Sequence, residues 1–184
     1  DSEVDNLTQM VNELLELSRI EAGRSNFDFH QIEPCQLVQK PVERMTLQAE
    51  RVGVTLSQDC PPDLPLVFAD PGQISQVFVN LIHNAIKFTP NNGRIHVTAF
   101  QDGQMAVFKV SDNGVGIATK DVNRIFERFY KADRARSGGG TGLGLSICKH
   151  IVEAHGGKIW AESVEDSGAD FLFTIPVVYP DNQD

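Results

Sequence analysis

"GGGTGLGLSICKHIVEAHGG", residues 138–157, puts five glycines among its first seven residues and then runs straight into a helical pattern. Glycine loses more freedom on folding than any other residue, so such a run needs a reason. Bare backbone lets a ligand come close, and the N–H groups at a helix start attract phosphate. A surface loop ending in a helix cap accounts for the run equally well. A P-loop requires Lys and Ser/Thr directly after its glycines, and no lysine follows here. The dinucleotide fingerprint requires a buried strand upstream, which "FYKADRARS" is not.

Three further stretches sharpen the choice. In "DNGVGI", residues 112–117, Asp112 ends the apolar run "MAVFKVSD". A carboxylate there can accept from an amine such as that of adenine, and Gly114 and Gly116 permit a flat ring to approach. An ordinary Asp-Asn-Gly turn has the same residues. In "PGQISQVFVNLIHNAIKFTP", residues 71–90, Ile74, Phe78, Leu81, Ile82 and Ala85 share one helical face. The opposite face carries Gln73, Gln76, Asn80, His83, Asn84 and Lys87, without an acid. Solvated faces usually mix Lys with Glu, and each Asn costs a helix about half a kcal/mol relative to Ala. That face is therefore expected to use its carboxamides: an Asn oxygen suits magnesium and Lys87 suits phosphate. "IFERFYKADRARS", residues 125–137, is a basic island with aromatic anchors in an acidic chain. It is expected to act as a lid, anchored at Phe126, Phe129 and Tyr130 and flexible at Gly138 to Gly140.

The remaining sequence bounds the class. The chain has 184 residues, 41% of them hydrophobic, which suffices for one medium domain plus an extra element. The net charge of -9 argues against general nucleic-acid binding. No apolar run reaches membrane-spanning length and no signal peptide is visible. Cys35, Cys60 and Cys148 are odd in number and lack C-x-x-C spacing, so reduced thiols are expected. Val4, Leu7, Val11, Leu14 and Ser18 recur at coiled-coil spacing, which predicts an oligomerisation helix up to Gly23. A helix packed on its own domain is the alternative. The chain starts abruptly within this pattern, as a fragment of a longer protein would.

Along the rest of the chain the patterns predict a strand in "FDFHQIE" and a helix over 35–52 kinked or interrupted by Pro41. They predict short strands in "VTLSQD" and "PLVFAD", a helix over 71–88, and two strands over 94–112 turning at Asp102-Gly103. A short helix near 119–125, a helix over 142–155 and a closing hairpin of "KIWAESV" and "ADFLFTIPV" complete the reading. Strands and helices mix without strict alternation, so the fold class is α/β: a mixed sheet covered by helices on one side.

Together and in order, these stretches closely resemble the catalytic domain of sensor histidine kinases. "NLIHNAIKFTP" resembles the N-box, "DNGVGI" the first glycine box, "IFERFYKADRARS" the F-box and "GGTGLGLSICKHIVEAHGG" the second glycine box. "DNLTQMVNELLELSRIEAG" is similar to the second helix of the dimerisation and phosphotransfer hairpin. The resemblance implies residues 1–24 as that truncated helix, 25–180 as an ATP-binding domain and 181–184 as a tail. It implies the Bergerat sandwich, ATP and Mg²⁺ as cofactors, a cytoplasmic location, homodimerisation through the hairpin and a response-regulator receiver domain as partner.

It also implies a nucleotide site. Asp112 would bind the adenine amine, with Gly114, Gly116 and Ile117 shaping the pocket. Asn84 would hold magnesium, with Asn80 and Lys87 at the phosphates. Phe126, Phe129, Tyr130, Lys131 and Arg134 would form the lid, and Gly140, Thr141, Gly142, Leu143, Gly144 and Leu145 would line the triphosphate. None of His30, His83, His96, His150 or His155 sits in the family's phosphoacceptor motif, so the accepting histidine is expected elsewhere. Gyrase-type relatives use a glutamate where Asn80 stands, and Asn cannot act as a general base. An autonomous ATPase and a degenerate, non-catalytic docking module are the competing functions; Asn80 speaks against the first, and the four intact boxes against the second.

Overall fold

The structure, a computed structural model, describes residues 2–23, 25–132 and 140–179. Its elements are α1 (Ser2–Glu21), β1 (His30–Ile32), α2 (Pro34–Arg51), β2 (Thr55–Asp59), β3 (Val67–Ala69) and α3 (Pro71–Phe88). There follow β4 (Arg94–Asp102), β5 (Met105–Asp112), α4 (Gly144–Ala154), β6 (Ile159–Ser163) and β7 (Ala169–Pro176). Five strands form one sheet in the order β2-β4-β5-β7-β6, and β1 pairs with β3 in a separate two-stranded ribbon. β2 and β4 run parallel and the other pairs of the large sheet are antiparallel, so the sheet is mixed as expected.

The period of two along the central strands decides which face meets the helices. Ile95, Val97 and Ala99 on β4, Phe108 and Val110 on β5, and Phe171, Phe173 and Ile175 on β7 are buried in one cluster with α2, α3 and α4. Phe78 of α3 packs edge-on against Phe108 and Phe173 at 5.6 and 5.1 Å between centroids. Its buried face is Ile74, Val77, Phe78, Leu81, Ile82, Ala85 and Ile86, the stripe that the periodicity predicts. Asp70 starts this helix by accepting from the Gln73 N–H at 3.0 Å, with Pro71 in the first turn.

Several expectations are corrected. Pro41 does not interrupt α2, which runs through it with Leu37, Val38, Pro41, Val42 and Met45 buried. Proline removes one backbone donor, but this apolar stripe packs on α3 and holds the helix together. "FDFHQIE" yields only three strand residues. Residues 119–129 form successive turns rather than a helix, and α4 begins at Gly144, two residues late. In the central hairpin Asp102 pairs with Met105, so Gly103 (φ +57°) and Gln104 make the turn. Cys35 and Cys60 form a disulfide with Cα atoms 5.6 Å apart. Fixed spacing rules missed it because the partners meet only when the start of α2 lies beside the loop after β2. A bridge across this separation of 25 residues restricts the unfolded chain by about 3.5 kcal/mol. Cys148 is a free, buried thiol whose pKa burial pushes up to about 12, consistent with a core role.

α1 packs on the domain through part of its surface only. Leu17 is buried against the domain, while Val4, Leu7 and Val11 of the seam stay exposed at 66, 63 and 48%. Gln76 donates to Glu16 at 2.9 Å, and Glu21 pairs with Arg128 and with His150.

The segment between α1 and α2 is anchored by a second cluster. The Asp28 N–H donates to Asp70 Oδ2 at 2.8 Å, so one carboxylate holds this segment and caps α3. His155 Nε2 accepts from the Asp70 N–H at 3.0 Å, its Nδ1 lies 2.7 Å from the Ile151 carbonyl, and Phe27 and Phe29 pack against its ring. This geometry requires the neutral ring with its proton on Nδ1, and burial lowers its pKa accordingly. The linkage sign follows: a depressed folded pKa gives stability that is complete above the unfolded value of about 6.5 and is lost as pH falls below it. The melting temperature is therefore expected to drop below about pH 6.5, and His155→Asn should flatten that drop while lowering stability at neutral pH. A melting series across this range checks it.

Candidate functional site

One face of α3, the end of β5, the turns after it and the start of α4 surround a cavity of about 580 Å³. Asn80, Asn84 and Lys87 reach it from α3 because spacings of three and four residues bring them to one helical face. Asp112 lies at the last residue of β5, where pairing with Ala169 of β7 fixes its backbone. Its Oδ1 accepts from the Gly114 N–H at 2.8 Å. Burial raises the Asp112 pKa, and hydrogen bonds from Gly114 and Ala169 pull it back. Asp112 thus presents a half-buried, oriented carboxylate to an amine donor.

The glycines have specific steric duties. A Cβ at Gly114 would stand 2.2 Å from the Phe88 carbonyl, and one at Gly116 (φ +67°) 2.2 Å from the Val164 carbonyl. At Gly142 (φ +77°) a Cβ would meet the Phe129 backbone at 2.9 Å, where the Phe129 N–H donates to the Gly142 carbonyl. The first and second glycine stretches are therefore pressed against other backbone, and the second is tied to the aromatic-basic stretch.

Lys87 and Lys131 both line the cavity; burial lowers the Lys87 pKa and the charge of Lys131 lowers it further. Two ammonium groups drawn together with the open start of α4 favour a polyanion. Asn80 sits across from α4, its Nδ2 3.4 Å from the Gly144 carbonyl. A carboxamide there accepts no proton from water, so the cavity has no base at this position.

Of the residues singled out from sequence, Asn80, Asn84, Lys87, Asp112, Gly116, Ile117, Tyr130, Lys131, Gly140, Thr141, Gly142, Gly144 and Leu145 line this cavity. Gly114 instead underlies Asp112. Phe126 packs against Phe171, Phe129 is half exposed with φ +59°, and Leu143 is buried at the N-cap of α4. These three support the walls and do not face the space. Arg134 and the glycines at 138 and 139, and with them most of the expected flexible part of the lid, lie outside the described residues.

Several lining residues were missed. Gln9 and Glu13 enter from α1, and Thr141 Oγ1 donates to the Glu13 carboxylate. Asp121 is buried and accepts from the Tyr130 hydroxyl, and Arg124 covers the Tyr130 ring at 4.4 Å. Lys120 and Glu165 complete the rim. None belongs to a spaced motif; each arrives through tertiary packing. His83, set aside as an acceptor on sequence grounds, also lines the cavity, with Nδ1 3.1 Å from Gln48 Nε2.

A mixed sheet with helices on one face and a nucleotide-sized cavity under glycine-rich turns defines a class of ATP-binding domain. Residues 69–179 match the model of the histidine kinase-, DNA gyrase B- and HSP90-like ATPase family, and the chain belongs to that family. It is 38% identical over 177 residues to the adaptive-response sensory kinase SasA of Thermosynechococcus vestitus, covering 96% of this chain and 47% of that protein. Full-length ShkA, solved in complex with AMPPNP, superposes with a TM-score of 0.86 at 30% identity, covering 97% of this chain and 37% of that one. ThkA in complex with the response regulator TrrA gives 0.76 at 28% identity, covering 96 and 49%. The chain thus carries the catalytic-domain fold of sensor histidine kinases and spans less than half the length of these relatives.

Proposed function

We propose that this chain is the ATP-binding catalytic domain of a two-component sensor histidine kinase, residues 25–180, preceded by part of the dimerisation hairpin in 1–24 and followed by a tail in 181–184. The observation that carries it is the cavity itself, which is lined by Asp112 and Gly116 and also by Lys87, Lys131 and the glycines before α4. Asp112 accepts from the adenine amine, and the cations and the start of α4 hold the triphosphate. The resemblance to ShkA, solved with AMPPNP, supports nucleotide binding by this fold.

Magnesium fits as a nucleotide-borne ion. No cluster of three or more His, Cys, Asp or Glu suited to a metal occurs among the described residues, so no all-protein cage competes. Mg²⁺ needs only one or two protein oxygens when phosphates and water supply the rest, and the Asn84 carboxamide offers one. When bound, the ion neutralises charge on the phosphates.

The residues then position and stabilise the reacting group more than they react with it. Lys87 and the lid cations offset charge on the γ-phosphoryl group. With Asn80 in place of a carboxylate, water is not activated, and the γ-phosphoryl passes from ATP to an imidazole nitrogen, leaving ADP. That imidazole belongs to a histidine outside this chain. His30 pairs with Asp28, His96 with Ser57 and His150 with Glu21, both nitrogens of His155 are engaged, and His83, which lines the cavity inside the N-box, has Nδ1 beside Gln48 Nε2. The phosphoryl group passes on to an aspartate of a response regulator, as the association of ThkA with TrrA supports. The exposed seam of α1 serves the homodimer, and the domain works in the cytoplasm. No helix among the described residues is long and apolar enough to cross a membrane.

The test incubates the purified chain with Mg-ATP and measures bound nucleotide and released ADP. Tight binding with almost no ADP is expected. Steady ADP production would favour the autonomous ATPase, and absence of binding would overturn the assignment.

A further inference from the structure

The first glycine stretch has no regular structure from Asn113 to Ala118, yet Val115, Gly116 and Ile117 form a wall of the cavity. Such a segment needs an external template to keep one shape. The turn between β6 and β7, residues 164–168, supplies it. The Asp166 N–H donates to the Val115 carbonyl at 2.8 Å. Gly116 lies so close under the turn that a Cβ would stand 2.2 Å from the Val164 carbonyl. Gly168 lies so close over Asp112 that its Cβ would stand 2.0 Å from the Asp112 carbonyl.

Ser163, the last residue of β6, completes this contact from both sides. Its Oγ accepts from the Ile117 N–H at 2.8 Å and donates to the Gly168 carbonyl at 2.7 Å. One hydroxyl therefore ties the cavity wall to the glycine that covers Asp112. Among the described residues β6 is the edge strand beside β7, where Ser163 stands opposite Ala169, and this side chain links that edge to the cavity wall.

We propose that Ser163 is a positioning residue for the nucleoside end of the cavity, holding the 113–118 wall at the spacing a planar adenine requires. The proposal rests on the nucleotide assignment above. The role needs a group that donates and accepts at once within a narrow gap. Alanine leaves an N–H and a carbonyl without their partner, threonine keeps the hydroxyl, and cysteine keeps the shape with weaker hydrogen bonding. Because Ser163 acts at the base and not at the phosphates, its loss must weaken ADP and ATP by the same factor.

The test measures ADP and ATP affinity by calorimetry, below the melting temperature of each variant, for wild type, Ser163→Ala, Ser163→Cys, Ser163→Thr and Asp112→Asn. Ser163→Ala is expected to weaken both nucleotides about tenfold, the effect of one or two lost hydrogen bonds. Ser163→Cys should fall between it and wild type, and Ser163→Thr should return to within about twofold of wild type. General loosening of the domain would not be rescued in this order. Wild-type affinity in the Ala and Cys variants, with binding lost in Asp112→Asn, would overturn the role of Ser163 and leave the nucleotide site standing. Failure of Thr to restore binding, or a much larger loss for ATP than for ADP, would also overturn it. Absence of ADP binding by the wild type would remove the assignment on which the proposal rests.

Discussion

Gly116→Ala is expected to abolish nucleotide binding and to lower stability by about 3 kcal/mol or more, as backbone strain and a steric clash add. Gly116 has φ +67°, a region that costs an L-residue about 1–2 kcal/mol. The clash is the larger part. The new methyl would sit 2.2 Å from the Val164 carbonyl, and that turn cannot withdraw freely because the Asp166 N–H is bonded to Val115 and Ser163 to Ile117. Either the glycine stretch moves into the cavity or the β6–β7 turn lifts away. Gly103→Ala separates the two effects: its φ is +57°, but nothing stands within 4 Å of the added Cβ. That variant should lose about 1–2 kcal/mol and keep full ADP affinity. Melting curves and ADP titrations of both variants check the pair, and similar behaviour would show that strain alone governs these glycines.

Asp112→Asn is expected to weaken ADP and ATP by roughly 30- to 1000-fold, or about 2–4 kcal/mol, with little change in melting temperature. The carboxylate accepts from the Gly114 N–H and from Ala169 while presenting a further lone pair to the cavity. A carboxamide has one accepting and one donating end. If its oxygen stays on Gly114, its NH₂ group faces the adenine amine, donor against donor. If it flips, the NH₂ group faces the Gly114 N–H instead. The folded domain loses little because burial already disfavours the Asp112 charge. Retained affinity would sink the adenine assignment while leaving the cavity's cationic end untested by this variant, which the ADP-release measurement then addresses independently.

The two variants differ in how legible their residues are. Asp112 and the N-box face of α3 were visible in sequence because each rests on a local rule: a carboxylate at the end of an apolar strand, and carboxamides at spacings of three and four on a helix without acids. The reason Gly116 must be glycine was not visible, since its neighbour is 48 residues away on another hairpin. Glu13 and Ser163 were invisible for the same cause. Each is a common polar residue whose partner, Thr141 or Ile117, is set by packing. The Cys35–Cys60 bridge was misread because cysteine spacing says nothing about which loops a fold brings together.

Local errors had local causes. Pro41 follows a rule for isolated helices, which α2 overrides by burying one face on α3. The 119–129 segment has helix-compatible residues, but Asp121 turns inward to Tyr130 and the segment folds as successive turns around that contact. "FDFHQIE" alternates like a strand, yet Phe27 and Phe29 pack on His155 and not on a sheet.

By itself the sequence determined the order of the main elements apart from the turns at 119–129, the mixed sheet with helices on one face, and most of the residues that line the cavity. These follow from periodicity and from residue types that act within a few positions of one another. The tertiary structure alone decided what presses on the glycines, which residues of α1 and of the β6–β7 turn reach the site, and which cysteines join. Those are contacts between segments far apart in the chain, fixed by burial of the common core and carrying no local period for the sequence to display.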